Sequence, residues 1–267
     1  MGSSVTVGDV TMDYLTFGTG TKPMVVLPGV SLFPVLRSAP AIEATFRRFS
    51  DRHTVWLFDR RRNMPEDYSV SDMADDTAAA MRALGLSGVH LYGVSQGGMI
   101  AQSLAARNPD LVSRLAIAST ICRPNEVSRE TFSRWVSLSE SGDRVAWNRF
   151  MFSRIYSPDY LKKYERAFDA LAKMGSDEDY RRLAILCRAC LTFDGDGEVD
   201  KITCPVLAAG SEQDHVLSGD GSREIAERLG GKLILYPDYS HAVYDEAPDF
   251  LDHIARFFDE TDEKTGG

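Results

Sequence analysis

Ser95 stands in Gly93-Val94-Ser95-Gln96-Gly97, directly after the apolar run Val89-His90-Leu91-Tyr92 and before a helix-like stretch. A serine hydroxyl is a poor nucleophile unless a base sits beside it and amide donors await the oxyanion. Glycines two positions before and two after it remove the side chains that would collide as a strand turns sharply into a helix. Such a turn lifts Ser95 above the sheet and aims the first free amides of the helix at the space beside the hydroxyl. Gln96 N–H is therefore expected as one oxyanion donor. The second is expected from Pro28-Gly29-Val30, where the chain turns closely after the apolar run Met24–Leu27, and we assign it to the Val30 amide.

The base must be one of five histidines, His53, His90, His215, His241 and His253. Position separates them. His53 begins a strand at the end opposite to strand C-termini, His90 lies inside a strand and His253 belongs to the last helix, so none of these reaches the rim where open α/β sheets bind ligands. His241 follows the last strand, in Pro237-Asp238-Tyr239-Ser240-His241-Ala242, and Asp214 follows the strand before it, in Gly210-Ser211-Glu212-Gln213-Asp214. A carboxylate there would accept the Nδ1 proton of His241 and fix its tautomer. His215 is the competing base and Glu212 the competing acid.

These residues need a scaffold of strands ending at one rim. Met24–Leu27 and Val55–Phe58 are short continuous apolar runs, as buried parallel strands require, whereas Val10–Phe17 alternates as an antiparallel edge hairpin does. Ala39–Phe49 and Ser69–Leu84 carry apolar residues at helical spacing, the second capped by Ser69 and closed by Gly85. Met99–Arg107 continues as a helix and Leu115–Ala118 as a strand. Repeated strand, helix, strand units predict an α/β fold with a doubly wound, mostly parallel sheet. From Cys122 the rhythm changes: Phe132–Ser139, Val145–Ile155, Asp159–Met174 and Asp177–Leu191 read as helices with no convincing strand among them. Strands resume at Pro205–Ala209 and Leu233–Tyr236, followed by a helix Ala247–Phe258 and a charged tail expected to fray.

The net charge is -9, from 30 Lys+Arg against 39 Asp+Glu, which disfavours a phosphate backbone or an anionic membrane surface. No nucleic-acid or membrane partner is expected. Arg60-Arg61-Arg62, the only tight basic cluster, is expected to be a solvated or salt-bridged loop. No signal segment or bilayer-length apolar stretch is visible, so the cytoplasm is the expected compartment. Cys122, Cys187, Cys190 and Cys204 suit a reduced chain, with Cys187 and Cys190 as two buried thiols on one helix rather than a redox or zinc pair. Asp194-Gly-Asp196-Gly-Glu198-Val-Asp200 imitates a calcium loop, but Val199 replaces the needed glycine and Pro205 the closing glutamate. No metal or cofactor is expected there, and the segment reads as a hinge.

Taken together, Leu27-Pro28-Gly29, Gly93-Val94-Ser95-Gln96-Gly97-Gly98, Gly210–Asp214 and Ser240-His241-Ala242 resemble the α/β-hydrolase fold family along nearly the whole chain. The order Ser95, Asp214, His241 is that of nucleophile-elbow hydrolases. The resemblance implies an eight-stranded sheet formed by residues 1–121 and 201–267. It implies a helical cap, residues 122–200, between strands six and seven. Many relatives carry His-Gly where this chain has Pro28-Gly29, a change that touches loop shape more than the backbone donor. Relatives with dehalogenase or epoxide-opening activity use Asp where Ser95 stands, so those activities are not expected.

The cap holds Trp135, Trp147, Phe150 and Met151, the expected substrate-binding residues of a mostly apolar pocket for a small acyl compound. An ester, thioester or lactone then fits better than a phosphate or a peptide. The same triad could run acyl transfer, carbon-carbon hydrolysis or perhydrolysis. From another class, a ligand-binding protein on a hydrolase scaffold and an interaction module using an exposed aromatic cap are the competing readings.

Overall fold

The computed structural model describes residues 2–260, so residues 261–267 of the charged tail lie outside the described chain. A hairpin opens it, β1 (Ser3–Val7) and β2 (Val10–Phe17), turned at Gly8 with φ +60. There follow β3 (Lys22–Leu27), α1 (Ala39–Phe46), β4 (His53–Arg61), α2 (Val70–Ala83), β5 (Val89–Val94), α3 (Gln96–Arg107) and β6 (Val112–Ala118). Five helices come next: α4 (Glu126–Ser141), α5 (Arg144–Ile155), α6 (Pro158–Lys163), α7 (Glu165–Leu171) and α8 (Asp177–Thr192). The chain closes with β7 (Val206–Ser211), α9 (Asp220–Leu229), β8 (Lys232–Tyr236), α10 (Val243–Glu246) and α11 (Phe250–Asp259).

The eight strands form one sheet in the order β1-β2-β4-β3-β5-β6-β7-β8. β1 and β2 run antiparallel at one edge, and every pairing from β4 onward is parallel. The expected doubly wound, mostly parallel sheet is therefore the architecture found. β5 lies near the middle with all six residues buried, which is why its sequence is mostly apolar, His90 apart, instead of alternating. Val25, Leu91, Leu115 and Ile117 pack one face with α2 and α3, while Met24, Val26, Tyr92 and Ala116 pack the other with α11. Each fully buried Val, Leu, Ile or Met side chain among them contributes roughly 1.5–3 kcal/mol.

The helix ends follow local chemistry. Ser69 accepts from the Asp72 amide, and the Asp72 carboxylate accepts from the Ser69 amide, a reciprocal cap worth about 1 kcal/mol that sets the start of α2. Gly85 turns away from that helix at φ +71. The expected helix Asp159–Met174 is instead two, broken at Tyr164, whose φ of -113 and ψ of 20 leave the helical region. The bend lets Phe168 meet Phe152 at 4.6 Å and Tyr156 at 5.0 Å, so aromatic packing overrides the local periodicity. Similarly, the expected helix Ala39–Phe49 ends at Phe46 and finishes as a tighter turn over Arg47–Phe49.

Of the helices between β6 and β7, α4, α5 and α8 share one apolar cluster with the sheet. Their entry and exit meet where Gly195 N–H donates to the Cys122 carbonyl at 2.8 Å. Beside that crossing, the Arg228 guanidinium reaches Asp200 at 2.7 Å and Asp196 at 2.5 Å, consuming the carboxylates that imitate a calcium loop. Among the described residues no group of three or more His, Cys, Asp or Glu is gathered to hold a metal ion.

Candidate active site

Ser95 occupies the tight corner between β5 and α3, with φ 53 and ψ -120, a conformation that costs a non-glycine residue of order 1–3 kcal/mol. Its neighbours hold it there. Ser95 N–H donates to the Ala118 carbonyl at 2.9 Å, and the Ser95 carbonyl accepts from the Gly98 amide at 2.9 Å and the Thr120 hydroxyl at 2.9 Å. The two glycines leave room for the corner to close. A Cβ at Gly93 would lie 2.4 Å from the Gly97 carbonyl oxygen, and one at Gly97 would lie 1.9 Å from the Leu27 carbonyl oxygen.

His241, in the loop after β8, lies with Nε2 3.1 Å from the Ser95 hydroxyl and Nδ1 2.8 Å from Asp214, in the loop after β7. All three are buried, with Ser95 6% and His241 2% exposed, so the contacts are shielded from competing water. The other Asp214 oxygen accepts from the Val216 and Leu217 amides, both at 2.8 Å. Burial by itself would raise the Asp214 carboxyl. The adjacent His241 ring and those two amides outweigh it and hold the group below the ordinary carboxylate range.

The competing residues lie elsewhere. His215 and Glu212 are exposed, and Glu212 pairs with Arg223 at 2.6 Å. His53 and His90 bond one another at 3.0 Å as the sequence placed them, at the start of β4 and within β5. His253 reaches Asp249 at 3.4 Å on α11.

Gln96 begins α3, and the first amides of a helix have no carbonyl partner within it. The loop after β3 runs beside the serine: a Cβ at Gly29 would lie 3.1 Å from Ser95 Cβ and 3.6 Å from its hydroxyl. Val30 packs partly buried against the main apolar cluster.

Several supporting residues carry no motif. Ser119, just beyond β6 at φ 44, donates its hydroxyl to the His241 carbonyl at 2.7 Å, while Thr120 holds Ser95. Thus one β6 corner pins the backbones of both partners. Arg60 corrects the expectation of a solvated or salt-bridged loop: it lies within β4, is 6% exposed, and donates to the Pro28 carbonyl at 2.6 Å and the Gln96 side chain at 3.3 Å. Arg62 does pair at the surface, with Asp13, whereas Arg61, the last residue of β4, is largely buried and pairs with Asp76 at 3.8 Å and Asp9 at 3.5 Å. The signal for Arg60 was its place at the end of an apolar strand, on the same rim as Ser95.

Trp135 and Trp147 are buried between α4, α5 and α8, where Trp147 Nε1 donates to the Trp135 carbonyl at 3.1 Å and its ring meets Tyr180 edge-on at 6.0 Å. Phe150 and Met151 are partly buried against the same cluster. Cys187 and Cys190 are buried free thiols, pushed up by burial, Cys190 to about 12. The C-terminal end of α5 grips the histidine loop: Ala242 N–H donates to the Ile155 carbonyl at 2.8 Å and the Ser240 hydroxyl to the Arg154 carbonyl at 2.9 Å.

Comparison with known proteins assigns the lineage. The profile of the alpha/beta hydrolase family matches residues 24–253, from within β3 to within α11. The chain belongs to the alpha/beta hydrolase family. A curated relative of this hydrolase, named "Putative carbamate hydrolase RutD" from a Caulobacter species, is 28% identical over 222 residues, covering 79% of this chain and 81% of its own. Among solved structures it is similar to MGS-M2, an alpha/beta hydrolase enzyme from a Medee basin deep-sea metagenome library, with TM-score 0.86 and 22% identity over 97% of this chain and 98% of that one. It is also similar to the enol-lactonase from Burkholderia xenovorans, with TM-score 0.83 and 20% identity over 97% of this chain and 100% of that one. Among the described residues no helix is long and apolar enough to cross a membrane.

Proposed function

We propose that this hydrolase cleaves small, largely apolar carboxylic esters, thioesters or lactones through an acyl-enzyme on Ser95. The observation that carries the reading is His241, bridging the Ser95 hydroxyl at 3.1 Å and Asp214 at 2.8 Å. His241 Nε2 takes the hydroxyl proton as Ser95 Oγ bonds to the substrate carbonyl carbon, and the carbonyl electrons move onto oxygen. The Val30 and Gln96 amides donate to that oxyanion. Collapse of the tetrahedral species expels the alcohol or thiol, which leaves with the proton from His241. A water deprotonated by His241 then adds to the acyl carbon, and Ser95 departs with the proton as the acid is released. Asp214, kept ionised, holds the ring with Nε2 towards the serine and stabilises the imidazolium formed in both halves.

Residues 122–200 are proposed to act as the cap over Ser95, with residues 1–121 and 201–267 as the catalytic core. Near-complete burial of the nucleophile and the α5 grip on the histidine loop support that division. Trp135, Trp147, Phe150 and Met151 are proposed to shape the apolar side of the acyl pocket. Four unpaired thiols suit a reducing compartment, the cytoplasm. The names of the relatives extend the test, since a carbamate and an enol lactone pass through the same oxyanion as an ester. Purified protein should be screened against aryl esters of increasing chain length, lactones, thioesters and carbamates. Turnover falling as the acyl group lengthens or gains charge is expected; no acyl hydrolysis across the panel would refute the proposal.

A further inference from the structure

Two guanidinium groups lie beneath the loop that follows β3. Arg60 donates to the Pro28 carbonyl at 2.6 Å and to the Gln96 side-chain oxygen at 3.3 Å. Arg182, on α8, donates to the Ser31 carbonyl at 3.0 Å and to the Asp59 carboxylate at 2.9 Å. The same Asp59 oxygen accepts from the Arg60 amide at 2.9 Å. Gln96 completes the link by donating its side-chain amide to the Leu186 carbonyl of α8 at 2.8 Å. Asp59 and Arg60 are each about as buried as Ser95, at 4% and 6% exposed.

Peptide planes are rigid, so fixing the carbonyls at Pro28 and Ser31 limits how the intervening Gly29-Val30 peptides can rotate. A charge-assisted bond to a carbonyl in a buried setting resists that rotation far more than a bond to water does. Both proposed oxyanion donors are reached: the Val30 amide through the loop, and the Gln96 amide through a side chain held between Arg60 and α8. Burial of two cations with one carboxylate is costly, and α8 belongs to the helical insertion, so the arrangement also couples the insertion to the loop.

We propose that Arg60 and Arg182 are positioning residues that preset the loop Pro28–Ser31 for the oxyanion, with Arg60 the stronger of the two. The inference rests on the serine-hydrolase reading of Ser95. It differs from a purely structural role in what it predicts: loss confined to the tetrahedral state, with ground-state binding spared.

The test compares wild type with Arg60→Met, Arg60→Lys and Arg182→Lys. Steady-state kinetics on a short aryl ester are measured alongside inhibition by a trifluoromethyl ketone, which forms a tetrahedral adduct, and by the product carboxylate. Arg60→Met should lower kcat about 10- to 100-fold with KM within threefold, and weaken the ketone by the same factor while leaving the carboxylate unchanged. Arg60→Lys, whose amine still reaches one carbonyl, should regain most of the loss, and Arg182→Lys should lose about three- to tenfold. A kcat loss with unchanged ketone affinity, or no kcat loss, overturns the proposal. If Arg60→Met does not fold, the Lys variants decide by the same ratio. Fluorophosphonate labelling separates the two failures: wild type unlabelled at Ser95 refutes the hydrolytic reading itself, whereas a labelled wild type with variants reacting at the same rate refutes only the positioning role.

Discussion

A Cβ added at Gly97 would fall 1.9 Å from the Leu27 carbonyl oxygen, so the first turn of α3 and the end of β3 touch backbone to backbone. No rotamer change relieves that contact, because the backbone fixes where a Cβ sits and its neighbour is a main-chain oxygen. Gly97→Ala should therefore push the loop after β3 away from Ser95. We expect a destabilisation of about 1–3 kcal/mol, seen as a melting temperature lowered by several degrees, and a turnover loss larger than stability explains at 25 °C. Thermal unfolding and ester kinetics on the same preparation check it; an unchanged melting temperature would contradict the packing argument.

Asp214 is ionised although buried, because the His241 ring and two backbone amides offset the desolvation. Asp214→Asn keeps the shape but favours the wrong imidazole tautomer, and should lower kcat about 10³- to 10⁴-fold with little change in fold. The folded-state pKa of Asp214 is depressed, so its contribution to stability is present above the unfolded carboxylate range and is lost as pH falls through the folded value. The variant should lack that part of the acid destabilisation. Urea unfolding of both proteins between neutral pH and pH 3 measures the difference.

His90, buried in β5 beside His53, is lowered to about 4, chiefly by burial and then by the neighbouring imidazole. Because the folded value lies below the unfolded one near 6.5, stability is present above about pH 6.5 and is lost as pH falls towards about 4. The slope should correspond to on the order of 3 kcal/mol across that window. His90→Gln retains hydrogen-bonding atoms but does not titrate, and its melting temperature should fall less steeply with acid. Parallel curves for the two proteins would show that this pair does not govern the acid limb.

Asp196 and Asp200 are both paired with the Arg228 guanidinium. Millimolar calcium or excess chelator should leave both melting temperature and activity unchanged. A calcium-dependent rise of a few degrees would mean that the segment Asp194–Asp200 binds metal after all.

Much of this arrangement could be read from residues. The apolar runs Met24–Leu27 and Val89–Val94 gave the buried parallel strands, and the glycines around Ser95 gave the sharp corner, because period and turn chemistry are local properties. His241 and Asp214 were legible through topology: each follows a strand, and parallel strands end on one rim. What pairs with what across the sheet was not. Arg60 reads as one of three solvated or salt-bridged arginines: its place at the end of an apolar strand puts it on the Ser95 rim, but the partner Pro28 is brought to it only by the packed fold. Ser119 and Thr120 follow an ordinary strand, and only the packed fold brings them to His241 and Ser95. The break at Tyr164 likewise depends on Phe152 and Tyr156 at the end of α5, which Phe168 packs against, and helical spacing alone runs straight through it.

The hydroxyl of Ser95 is the group on which the proposed chemistry depends, and its removal is the most direct trial. On an ester that wild type hydrolyses, Ser95→Ala should retain its melting temperature within a few degrees and lose about 10³-fold or more in kcat/KM, leaving only what the oxyanion donors and binding supply. Hydrolysis by the folded variant at close to the wild-type rate would contradict the account.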